Sequence, residues 1–140
     1  MTRLSDRRER IVRVRALEHR LAAVRQTAAE KRIMDLLGVA RRLGDLRANL
    51  INSVGPTSGA SLQAVSELQG RLGRAESELS QPIKMAELHA EEATSARLRA
   101  RSREDGAQRL RERDAAKEGY AQAIRADANR PFRRSLRLRK

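Results

Sequence analysis

One short stretch, Val54 to Ala60 (V-G-P-T-S-G-A), is the only dense Gly/Pro/Ser/Thr cluster in this chain. Helix-compatible apolar spacing runs for roughly fifty residues before it and roughly seventy after it. A single short connection between two long helical stretches favours an antiparallel pair. The fold class that follows is all-α: a long antiparallel two-helix coiled-coil hairpin. Helix 1 is expected over about 4–53, the turn over 54–60 and helix 2 over about 61–128, with a basic tail over 130–140. Two helices side by side enclose no deep pocket, so the chain is read as a binding protein and not an enzyme.

Composition supports helix over a compact globule. The aromatic residues are Tyr120 and Phe132, and charged residues make up 35% of the chain. That balance is typical of long helices and coiled coils, and regular leucine spacing argues against disorder. The net charge is +13, and 27 of the 31 basic residues are arginine. Such a charge favours acidic partners: nucleic acid, an anionic membrane or an acidic protein surface. With no cysteine, disulfides and thiolate metal sites are excluded. No apolar run approaches the ~20 residues needed to span a bilayer, and the N-terminus lacks a secretory h-region. The expected location is cytoplasmic.

Within helix 1, Val14, Leu17, Leu21, Val24 and Ala28 step by three and four, the spacing of a heptad seam. Lys31 and Asp35 occupy the next two positions, so a change of register is expected there. The seam then resumes at Ile33, Leu36, Ala40, Leu43 and Leu50. In helix 2, Val65, Leu68, Leu72, Ala75 and Leu79 fit one register. Ala86, Ala93, Ala96, Ala100, Ala107, Leu110, Ala121, Ile124 and Ala128 continue it, with Arg103, Asp114 and Lys117 falling on the same line. Thr2 or Ser5 is a candidate cap for helix 1, and Ser58 or Ser61 for helix 2. Pro82 removes one hydrogen bond from a helix interior, so a kink or hinge is expected near Ser80 to Pro82. Ser80 can alternatively cap a new segment that has the proline in its first turn.

Counting from a turn centred on Thr57 places Val14 opposite roughly Ala100. The chain beyond Arg101 then outruns its partner, and this overhang holds Tyr120, Ile124, Phe132 and a mobile tail.

No catalytic motif is present, and no cofactor or small-molecule substrate is implied. His19 and His89 are the only histidines; both read as polar helix-face residues and are too few for a metal site. Glu76, Glu78, Glu91 and Glu92 read as solvated positions or as partners for arginines across the hairpin. The basic ends are the candidate binding residues. At one end are Arg3, Arg7, Arg8, Arg10 and Arg13 with Val14 and Leu17; at the other are Tyr120, Ile124, Phe132, Arg133 and Arg134. Phosphate contacts alone give non-specific nucleic-acid binding, so a basic scaffold on RNA or DNA is the alternative function. With two aromatics available for base stacking, sequence-specific recognition is not expected.

The opening R-I-V-R-V-R-A-L-E (Arg10 to Glu18), the size, the helix–turn–longer helix layout and the basic, cysteine-free ends resemble the coiled-coil stalk proteins of type III export. These are FliJ of the flagellum and YscO of injectisomes. The resemblance implies a non-enzymatic hairpin, similar to the shaft of a rotary ATPase, seated in the pore of a hexameric export ATPase. It also implies contact with the export gate's cytoplasmic domain and possible traffic with export chaperones, peripheral to a membrane-embedded machine. Arg10, Val14 and Leu17 are the residues that match the family's opening. Pro82, the Gly70/Gly73 pair and the strongly basic tail depart from the family.

Overall fold

The computed structural model describes residues 3–52 and 58–129, apart from the side chains of Arg3 and Leu4. Two helices, α1 (Arg3–Asn52) and α2 (Gly59–Ala128), pack against each other as an all-α hairpin, and no strand occurs among the described residues. Both helices lie within two residues of the expected boundaries. Tertiary contacts group the chain into two units, Glu18–Ala100 and Met1–Leu17 with Arg101–Lys140.

Local chemistry accounts for the helix ends. Asp6 lies in the first turn of α1, where the helix dipole favours a carboxylate. Ser5 is inside α1 and so is not its cap; Thr2 lies outside the described residues. Ser58 starts α2. Its carbonyl accepts the amides of Ser61 and Leu62 at 3.1 and 3.2 Å, and the Ser61 hydroxyl at 2.7 Å. At the far end the Asn129 amide donates to the Arg125 carbonyl at 3.1 Å. α2 runs through Pro82 as one helix. Ser80 does not open a second segment, because its hydroxyl donates back to the Ser77 carbonyl at 2.7 Å inside the helix.

In the unit Glu18–Ala100, Gln26 accepts a hydrogen bond from Arg97 at 3.0 Å, and Arg47 pairs with Glu76 at 3.0 Å. In both pairs the residue numbers add to 123. One residue from that register, at a sum of 122, the buried and half-buried positions bring Leu50 level with Leu72, Leu43 with Leu79, Leu36 with Ala86, Ala29 with Ala93 and Ala22 with Ala100. The layers therefore grade from leucine on leucine, through leucine on alanine, to alanine on alanine. Interaxial distance follows the side chains at the contact, so alanine layers bring the helices close. Ala22, Leu36 and Ala100 are the most deeply buried described residues, with Ala100 only 3% exposed.

This seam corrects the expected one. Half-buried and buried positions on α1 step by three and four through Ala22, Gln26, Ala29, Ile33, Leu36, Ala40 and Leu43, with no change of register at Lys31 or Asp35. Val14, Leu17, Leu21 and Val24 are 52–64% exposed and lie on another face. On α2, Leu72, Ala75, Leu79, Ala86, Ala93, Ala96, Ala100 and Ala107 are half-buried or buried, as is Val65, whereas Leu68, Arg103, Leu110, Lys117, Ala121, Ile124 and Ala128 are exposed. The error arose because α1 carries two heptad lines, and its first half has the more apolar residues on the outer one. The inner line there holds His19 and Gln26, which hydropathy alone rejects.

Gly38 and Gly70 lie mid-helix. A methyl group added to either would have nothing within 4 Å, and neither residue has a positive φ. Alanine fits both without strain and removes a helix-interior cost of ~1 kcal/mol at each site. Gly38→Ala and Gly70→Ala are each expected to raise the urea midpoint, and together to add about 2 kcal/mol if the sites are independent. A drop in stability for either variant would show that its backbone is not helical.

Candidate functional site

Of the residues singled out in the sequence, Arg7, Arg8, Arg10, Arg13, Val14, Leu17, Tyr120 and Ile124 fall among the described residues of the unit formed by Met1–Leu17 and Arg101–Lys140. Its inner seam is polar. Arg8 forms an ion pair with Asp114, both partly buried. Their numbers add to 122, so this unit has nearly the same pairing as the other. That register sets Arg15 level with Ala107, and Val14 level with about Gln108 instead of Ala100. The expected overhang shrinks accordingly. Paired residues continue to about Glu118, and only the last turns of α2 lie beyond the described α1. The count from Thr57 failed because the two arms are not equal about the turn. The first turns of α2, up to about Gln69, have no described α1 residue level with them.

Arg7, Arg10 and Arg13 stand exposed on α1, with Arg13 4.0 Å from Glu9 one turn away. Exposed pairs of this kind contribute only ~0–1 kcal/mol, so these arginines keep most of their charge available to a partner. Tyr120 (72% exposed) and Ile124 (51%) present apolar surface on α2. Arg3 belongs to α1, and Phe132, Arg133 and Arg134 lie outside the described residues.

Two grooves run along this unit. One, of about 540 Å³, lies between Ser5, Arg8 and Glu9 on α1 and Arg111, Asp114 and Lys117 on α2; it carries both signs of charge. The other, of about 390 Å³, is lined by Arg8, Ile11, Arg15, Arg103, Gly106, Ala107 and Leu110. It has an apolar floor, three arginines and no carboxylate. Ile11, Arg103 and Leu110 were not among the candidate binding residues. The signal that finds them is pairing: once Arg8 is set against Asp114, Ile11 and Leu110 fall side by side.

Comparison with protein-family models, with curated proteins and with solved structures finds no match to this chain. The reading of function therefore rests on this chain's own residues.

Elsewhere the expected bland roles are partly revised. His19 is half-buried on the inner line of α1. His89 is exposed, with Nδ1 3.4 Å from a Glu92 carboxylate oxygen. Glu76 is the partner of an arginine across the hairpin, as expected. Among the described residues no three His, Asp or Glu side chains are placed to hold a metal ion, and no helix is long and apolar enough to cross a membrane.

Proposed function

We propose that this protein is a non-enzymatic stalk or adaptor of a type III protein export apparatus, flagellar or injectisome. In this reading the unit with the basic ends enters the export ATPase ring. The observation that carries the proposal is the contrast between the two units. One is held by leucine and alanine layers, as a strut is. The other has an ion pair in its seam and displays Arg7, Arg10 and Arg13 on its surface. Arginine grips carboxylates bidentately, so acidic residues lining a ring are suitable counterparts. The export gate's cytoplasmic domain and export chaperones are the further partners this role implies. Its site of action is cytoplasmic, peripheral to the membrane-embedded machine.

The test is co-purification with the export ATPase of the same organism, together with its ATP hydrolysis rate. The intact protein is expected to co-elute and to change the rate. Arg7→Glu, Arg10→Glu and Arg13→Glu combined are expected to weaken binding at least tenfold, which corresponds to about 1.4 kcal/mol. No co-elution and no rate change for the intact protein would remove the reading.

A further inference from the structure

The carboxylate-free groove of the basic unit has a chemistry that narrows what can occupy it. On α2 the residues Arg103, Gly106, Leu110, Arg113, Lys117, Tyr120 and Ile124 step by three and four, so they share one helix face. No acid stands at any of these positions. On α1, Arg8, Ile11 and Arg15 line the same groove, again without an acid. Ile11 and Leu110 meet in the groove, yet they remain 44% and 59% exposed. Unpartnered helix faces with apolar residues at this spacing are normally covered by another helix.

We propose that this groove is the docking site for an acidic amphipathic helix of another protein, laid along α2 from about Arg103 to Ile124 as a third helix. Its apolar line meets Ile11 and Leu110 in the groove and Tyr120 and Ile124 on the exposed α2 face beyond it, and its flanking carboxylates meet Arg103 and Arg113. Charge decides the occupant. A second copy of this chain offering the same face sets arginine and lysine against arginine and lysine, and like charges across an interface cost several kcal/mol. The length available is about three heptads, enough for several anchors of a helix-in-groove contact. The proposal rests on the stalk reading only in taking the partner to be a protein.

The test uses the full chain and a labelled designed peptide of about three heptads, with leucine at a and d and glutamate at e and g. A second peptide replaces every glutamate by lysine. Fluorescence anisotropy near physiological salt is expected to show the acidic peptide binding at least tenfold more tightly than the basic one. Leu110→Asp and Arg103→Glu, both at exposed positions, are each expected to weaken the acidic peptide at least tenfold while the circular dichroism stays helical. Arg103→Glu carries the test should Leu110→Asp fail to fold. Leu98→Ala, at an exposed position outside the groove, is expected to leave binding unchanged.

Equal binding of the two peptides, or no binding of either, overturns the proposal. So does a self-association that Leu110→Asp abolishes. Binding to anionic phosphatidylserine vesicles or to poly-uridine RNA that Leu110→Asp weakens, with peptide binding intact, also overturns it. None of these measurements uses the export ATPase, so a failure here and a failure of the stalk reading are separable.

Discussion

Leu36→Ala is expected to destabilise the hairpin by about 2–3 kcal/mol, toward the low end of measured leucine truncations. Leu36 is the largest side chain among the deeply buried residues, at 9% exposure, and it sits level with Ala86. An alanine there leaves two methyls facing each other where the neighbouring layer, Leu43 with Leu79, still holds the helices at leucine distance. The gap cannot collapse without moving that layer. Leu21→Ala, although the same chemical change, is expected to cost no more than about 0.5 kcal/mol, because Leu21 is 58% exposed. Urea melts followed by circular dichroism compare the two directly. Equal losses, or a larger loss at Leu21, would mean that the outer line and not the inner one holds α1 to α2.

Pro82→Ala is expected to stabilise the protein by about 2 kcal/mol. Proline inside a helix costs ~3 kcal/mol through the missing amide and the clash with the carbonyl four residues back. The gain is reduced by ~0.4–1 kcal/mol, since alanine frees the unfolded chain. Pro82 lies within α2, far from either end, and it is exposed, so alanine disturbs no packing there. Gln81→Ala serves as the control and is expected to change stability by less than about 0.5 kcal/mol. No stabilisation by Pro82→Ala would place a helix end, and not a helix interior, at that residue.

The hairpin itself was legible in the sequence. The Gly/Pro/Ser/Thr cluster at Val54–Ala60 and the helical spacing on either side gave the two helices and their boundaries closely. Ser58 was one of the two caps the sequence offered for α2, and pairing of Glu76 with an arginine across the hairpin followed from ordinary charge rules. The inner line of α1 was not legible, because the sequence holds two heptad lines there. Hydropathy chose Val14, Leu17, Leu21 and Val24, while the structure packs the line through His19, Ala22 and Gln26. What decides between them is the partner helix. Ala100 and Arg97 suit a small residue and an amide opposite, a cross-helix fact that one helix's periodicity does not contain. The candidate site was half legible for the same reason: its exposed arginines were visible one by one, but the groove joining Ile11 to Leu110 needed the register.

The graded layers of the unit Glu18–Ala100 also work as a lock against sliding. Shifting α2 by one heptad in one direction sets Leu36 on Leu79 and Ile33 on Ile83, crowding a stretch spaced by alanines. Shifting it the other way sets Leu43 on Ala86 and Ala40 on Ala90, opening voids, and strands Arg47 on Ile83. Both overpacking and voids cost energy, so neither slipped arrangement competes. A push on one helix of this stretch is therefore handed to the other without lost motion.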